Sequence, residues 1–149
     1  MTTLLDVNVL IALFDPDHIH HETAHAWFGS RERGSWSTCP LTENGFVRIV
    51  ANPSYPGRRT TVADAAKRLR LFCQTDDHVF WPDSLSLRER DHLAPGSIRG
   101  YRQITDVYLL ALAVHNDGGL ATFDHSIPIA AVPDASDDHI LLLKPESRK

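Results

Sequence analysis

Apolar and polar positions fall along this chain in two recurring patterns, short apolar runs and longer stretches with helical spacing. Thr2–Leu5 is an apolar run that reads as a buried strand, and Val7–Phe14 follows at once with helical potential. Asp15-Pro16-Asp17 ends that helix, because proline lacks an amide donor and disfavours helix in the residue before it. A second helix is expected from about His20 to Phe28, stopped by Gly29. Ser35–Cys39 reads as a strand, and Pro40 and Thr42 open a helix that runs to about Ala51 and is closed by Asn52-Pro53.

Thr61–Cys73 carries the clearest amphipathic pattern, with Val62, Ala65, Ala66, Leu69 and Phe72 on one helical face. His78–Trp81 reads as a strand, and Pro82–Gly100 as a loop containing a short helix around Leu85–Arg90. Asp106–His115 is apolar on nearly every side, the mark of a helix buried all round; Gly118-Gly119 ends it. Leu120–Phe123 and Ile140–Leu143 complete a set of about five strands. Strands alternating with helices predict an α/β fold with a mainly parallel central sheet flanked by helices. No repeat, low-complexity tract or linker interrupts the pattern, so residues 1–149 are expected to form one domain.

Composition narrows the class. With 42% hydrophobic and 23% charged residues, the chain is an ordinary globular one. Two cysteines, Cys39 and Cys73, exclude a disulfide scaffold and a four-cysteine zinc module, and they are expected to be core or near-core thiols. Asp6 and Asn8 interrupt the N-terminal apolar stretch, which argues against a signal peptide. No run approaches the roughly 18 apolar residues of a membrane span. A cytoplasmic protein with no membrane partner is the expectation. The net charge of −4 tells against a protein that coats nucleic acid by charge alone. It leaves room for a nucleic-acid enzyme, since a cation-binding acid cluster is itself negative.

In a parallel sheet, ligands collect beyond the carboxyl ends of the strands. Four acids are expected there: Asp6 after the first strand, Glu43 at the start of the helix after the second, Asp106 opening the apolar helix, and Asp124 after the fourth strand. Singly, each has an ordinary explanation. Asp6 and Asp106 suit the dipole of a helix start, Glu43 a capping box, and Asp124 a turn. Together, four carboxylates crowded at one sheet edge require protonation or a cation. Oxygen-only donors suit Mg²⁺ or Mn²⁺, and two such ions can drive phosphodiester hydrolysis.

The segments that carry these acids resemble, in order, the four motifs of PIN-domain nucleases. They are Leu4-Leu5-Asp6-Val7-Asn8, Thr42-Glu43, Ile104-Thr105-Asp106-Val107 and Leu120-Ala121-Thr122-Phe123-Asp124. The likeness covers essentially the whole chain, and the length suits VapC-type ribonuclease toxins. It implies a Mg²⁺-dependent endoribonuclease, with Mn²⁺ as a possible substitute, whose cleavage leaves a 5′-phosphate and a 3′-hydroxyl. Asp6, Glu43, Asp106 and Asp124 match the acidic quartet, with Asn8 and Thr105 as supporting polar groups. The resemblance further implies an RNA substrate, a cognate antitoxin protein and a homodimer. Asp117 competes with Asp124 for the fourth acidic position. Arg102, just before the third motif, is the candidate contact to substrate phosphate.

A second motif competes. His21-Glu22-Thr23-Ala24-His25 spells H-E-x-x-H, which on a helix can place two zinc ligands and a general base together. Its longer form fails, because Phe28 and Arg31 stand where a glycine and a third histidine would be. A zinc hydrolase built on His21, Glu22 and His25 is thus one alternative. A non-catalytic binding module, in which the acids only serve helix ends, is another. Trp27, Trp36 and Trp81 fit core or interface positions better than base stacking.

Overall fold

The computed structural model describes residues 1–30 and 34–145; Arg31 lies outside the described residues. In chain order the elements are β1 (Thr3–Leu5), α1 (Val7–Phe14), α2 (His21–Phe28), β2 (Trp36–Thr38), α3 (Pro40–Val50), α4 (Val62–Phe72), β3 (His78–Phe80), α5 (Ile104–His115), β4 (Gly119–Thr122) and β5 (Ile140–Leu142). The strands form one sheet in the order β3-β2-β1-β4-β5, and every pairing is parallel. The expected α/β architecture is therefore present, with a sheet that is wholly rather than mainly parallel.

Side chains alternate across the strands, so each strand serves two cores. Leu4 and Leu120 face α5 together with Trp81, Leu93, Ile127 and Val132. Leu5, Trp36 and Ala121 face the opposite layer, where α1, α3 and α4 supply Val9, Leu13, Phe46, Val50 and Ala65. Val107 to Ala113 are buried without interruption along α5. The reason is that this helix lies between the sheet and the covering segments that carry Leu85, Leu93 and Val132.

Local rules set most boundaries. Thr61 accepts a hydrogen bond from the Asp64 amide at 3.1 Å and caps α4. Pro40 occupies the first turn of α3, where its missing amide costs nothing. Asp117 adopts φ 55, the left-handed stop that Asp tolerates better than most residues, and the Gly118 amide returns to the Ala113 carbonyl at 2.8 Å.

The expected helix around Leu85–Arg90 is not formed. Ser86 and Glu89 instead bond the local backbone, Arg88 N–H to Ser86 Oγ and Ser86 N–H to Glu89 Oε1, both at 3.2 Å. The Leu85 carbonyl accepts the Tyr108 hydroxyl at 3.0 Å, which ties this loop to α5. The apolar helix begins at Ile104 rather than Asp106, and a single 3-10 turn over Tyr101–Gln103 leads into it. Among the described residues, no helix is long and apolar enough to cross a membrane.

The turn between α5 and β4 admits no side chain at Gly118. A Cβ there would lie 2.3 Å from the Thr2 carbonyl oxygen and 2.6 Å from the Trp81 ring. Gly118→Ala is expected to cost about 2 kcal/mol or more. Gly96→Ala, with nothing within 4 Å, should be close to neutral. Urea unfolding of the two variants beside the parent checks the contrast.

Candidate active site

The strand order reverses between β1 and β4. The chain moves outward from β1 to β2 and β3, then returns through α5 to place β4 on the other side of β1. Such a switch point opens a crevice at the carboxyl ends of the two strands. Asp6 follows β1 and Asp124 follows β4, so both stand at this crevice, and α5 directs Asp106 there from its first turn.

Asp6 is only 5% exposed. Its backbone starts α1, but its carboxylate is held mainly from outside that helix. Oδ2 instead accepts the Thr122 hydroxyl at 2.9 Å, from the last residue of β4. Burial pushes the Asp6 carboxyl above its ordinary value of 3.8, and the charge of Asp124 adds to the effect. The Thr122 hydroxyl and the Val7 and Asn8 amides oppose it. Asp106 is raised to about 7, first by burial and then by the charges of Asp6 and Asp124. Asp124 is lowered, chiefly because Ser126 donates to Oδ1 from its hydroxyl at 2.6 Å and from its amide at 2.8 Å. The interaction between Asp106 and Asp124 moves the two in opposite directions, raising Asp106 and lowering Asp124.

Asp6, Asp106 and Asp124 thus come together. Among the described residues, no Lys or Arg lies within ion-pair distance of any of them. Three neighbouring carboxylates, two of them raised, without a protein cation and offering only oxygen donors, fit a hard divalent ion. Asp117 precedes β4 and lies at the other end of that strand, away from this crevice.

Glu43 is held differently. Thr42 and Gly45 face inward on α3, and Thr42 rather than Glu43 completes the capping box with Cys39. Glu43 is turned toward the β3 side, where Thr38 donates to its Oε2 at 2.7 Å. The same hydroxyl lies 2.8 Å from His78 Nε2. Asn8 and Thr105 are exposed. Thr105 borders a shallow hollow shared with Leu41, Asp83 and Tyr108. Arg102 is also exposed, its Nε donating to the Tyr101 hydroxyl at 3.2 Å.

Thr38, His78 and Thr122 escaped the reading of the sequence, although all three are polar residues within apolar strands. Thr122 lies two residues before Asp124, and period-2 alternation alone places it on the same side. Phe123, expected as the last residue of the fourth strand, lies just beyond β4. It stacks on His20 at 4.3 Å and lies beside His18 at 6.3 Å, forming an aromatic wall next to Asp124.

The H-E-x-x-H histidines serve α1. His21 Nδ1 donates to the Ala12 carbonyl at 2.7 Å, and His25 Nε2 to the Leu13 carbonyl at 3.0 Å. These carbonyls belong to the last turn of α1, where the helix itself provides no partner. Among the described residues, no third His, Cys, Asp or Glu completes a metal-sized cluster with them. Trp36 and Trp81 are buried and Cys39 is in the core, as expected, while Cys73 is half-buried.

A parallel sheet with carboxylates gathered at its switch point defines a class of α/β protein with an acidic crevice. The chain belongs to the PIN domain family, whose model matches residues 3–133. Its relatives are of the VapC type. It is 45% identical over 144 residues to Ribonuclease VapC44 of Mycobacterium tuberculosis, covering 96% of this chain and 100% of that protein. It is 41% identical over 131 residues to Ribonuclease VapC39 of the same organism, covering 88% and 94%. The crystal structure of M. tuberculosis VapC20, described as a Sarcin-Ricin loop cleaving toxin, shares the fold. The TM-score is 0.62 at 16% identity, over 87% of this chain and 95% of that one.

Two expectations follow from these environments. Because the Asp106 carboxyl sits at about 7 in the folded chain against an ordinary 3.8, folding takes up a proton there. In EDTA, Asp106 should therefore contribute a loss of stability as pH rises from about 4 to about 7. His18 and His78 are lowered by burial and act in the opposite sense, so the informative comparison is with Asp106→Asn, which should lack this contribution. Thermal unfolding across that range checks it; identical pH profiles for the two proteins would refute it. Separately, His21→Ala should cost about 1 kcal/mol through the orphaned Ala12 carbonyl. Denaturant unfolding reads that loss.

Proposed function

We propose that this protein is a divalent-metal-dependent endoribonuclease, with Mg²⁺ as the natural ion and Mn²⁺ as a substitute. The observation that carries this reading is the meeting of Asp6, Asp106 and Asp124 at the β1–β4 crevice without a protein cation among the described residues. The relatives named as ribonucleases support it over most of their length.

In this reading Asp6 and Asp106 hold the principal ion, and Asp124 and Glu43 complete the set. A bound Mg²⁺ would supply a water acidic enough to attack at neutral pH and positive charge to offset the developing phosphate charge. The chain's own groups do the rest. Thr122 fixes the Asp6 carboxylate through Oδ2, and Ser126 fixes Asp124 through Oδ1. Asp106, raised first by burial and then by its neighbours' charges, would hold such an ion as the deprotonated carboxylate. Glu43 would complete the set on leaving the Thr38 hydroxyl, which holds its Oε2 at 2.7 Å. Asn8 and Thr105 are polar supports at the rim, and Arg102 contacts a substrate phosphate. Cleavage leaves a 5′-phosphate and a 3′-hydroxyl.

The VapC relatives further support the role of a toxin silenced by a cognate antitoxin. We place the protein in the cytoplasm as a homodimer, with residues 1–149 forming the single nuclease domain.

Incubation of the purified chain with a mixed single-stranded and structured RNA pool tests the activity. Cleavage should require Mg²⁺ or Mn²⁺, stop in EDTA, and fall by on the order of a hundredfold or more in Asp6→Asn and in Asp106→Asn. Both variants should remain folded, and Asp6→Asn should be at least as stable as the parent in the absence of metal, because it removes a buried charge. Cleavage that survives both substitutions would overturn the assignment.

A further inference from the structure

The half-buried cluster of Glu43, Cys73 and His78 shares only Glu43 with the ligand set proposed for the Asp6 crevice. It is assembled from three elements: Glu43 from the first turn of α3, Cys73 from the end of α4, and His78 from the start of β3. A carboxylate oxygen, the thiol sulfur and a ring nitrogen of these residues all lie within 4.8 Å of one another. We propose that they form a second metal site, selective for Zn²⁺ over Mg²⁺, whose occupation withdraws Glu43 from the acidic crevice.

The donor set carries the selectivity. One sulfur, one nitrogen and one oxygen suit a borderline-soft ion that accepts four-coordinate geometry, whereas Mg²⁺ demands oxygen donors and keeps its water. Zinc–ligand bonds of roughly 2.0–2.3 Å put tetrahedral donors about 3.3–3.6 Å apart, so atoms within 4.8 Å of one another need to draw in by at most about 1.5 Å. The cluster is already organised for that. Thr38 Oγ1 donates to Glu43 Oε2 at 2.7 Å and lies 2.8 Å from His78 Nε2, holding carboxylate and imidazole side by side.

The scaffold beneath His78 is firm. Its ring packs on Trp36 at 4.6 Å, and Trp36 Nε1 donates to Thr75 at 3.1 Å and to Asp77 at 3.2 Å in the turn that leads into β3. The β2–β3 register pairs Trp36 with His78, which leaves Thr38 two residues further along the same face. Binding exchanges the hydrogen bonds at Glu43 Oε2 and His78 Nε2 for bonds to the ion and displaces the proton of Cys73. Three protein donors leave one position for water. Glu43 then serves one site or the other, so zinc opposes the hard-metal chemistry of the crevice.

The binding half of this proposal is independent of the nuclease reading, and the inhibitory half rests on it. Titration of the full chain with Co²⁺ should give a thiolate-to-cobalt charge-transfer band, which the many histidines elsewhere cannot produce. One equivalent of Zn²⁺ should remove the band, and excess Mg²⁺ should leave it unchanged. Cys73→Ser should abolish it, and His78→Gln should weaken Zn²⁺ affinity on the order of tenfold or more. Absence of the band, or its persistence in Cys73→Ser, overturns the site. In the RNA assay with Mg²⁺, zinc should inhibit the parent at concentrations that leave Cys73→Ser active. Equal inhibition of both overturns the regulatory half. If no metal supports cleavage by the parent, the nuclease reading and the inhibitory half fail together, and the cobalt band still decides the site.

Discussion

Asp6 occupies the point where β1 becomes α1, and the other parts of the crevice are arranged around its buried carboxylate. A carboxylate this far from water carries a desolvation cost that the Thr122 hydroxyl and the Val7 and Asn8 amides offset only in part. The charge of Asp124 increases the cost instead of relieving it. Without metal, burial and the neighbouring charges raise Asp106 to about 7, which favours retention of a proton there below that pH. A state with a dication would relieve the cost without the proton, and that choice between two forms of neutralisation is what makes the crevice a centre for cation chemistry.

Such a crevice needs rigid walls, and the sheet supplies them. Parallel pairing of β1 with β4 holds Asp6 and Thr122 at a fixed separation, and the Asp6 amide donates to the Ala121 carbonyl at 3.1 Å. Burial of α5 from Val107 to Ala113 fixes the helix that presents Asp106. The hydrophobic layers on both faces thus set the positions of the charges at the edge. The two H-E-x-x-H histidines take part in the same scaffold, since they satisfy the last carbonyls of α1, the helix that begins at Asp6.

Glu43 illustrates why the four-acid arrangement expected from chain order is only partly realised. Its position at the first turn of α3 follows from Pro40 and Thr42, both readable in the sequence. Its direction depends on Thr38 from the preceding strand and on His78, which is forty residues from Thr38 and is brought alongside by β2–β3 pairing. The same carboxylate therefore stands between two environments, one built of oxygen donors and one that includes sulfur and nitrogen.

The sequence by itself determined the α/β class, the order of its strands and helices, and the three aspartates at strand ends or a helix start. Those features depend on local periodicity, turn chemistry and the short range over which Pro, Gly and Asp act. Asp124, the expected fourth acid, and its competitor Asp117 are only seven residues apart, yet β4 runs between them and carries them to opposite ends of the strands. The Leu85–Arg90 segment had helical composition, but side-chain bonds to its own backbone and the Tyr108 hydroxyl bond to Leu85 took precedence. Only the tertiary structure decided which way Glu43 faces, what His21 and His25 bond, and that Cys73 meets His78. Each of these depends on a partner distant in sequence, and a pattern read along the chain contains no information about what packing brings beside it.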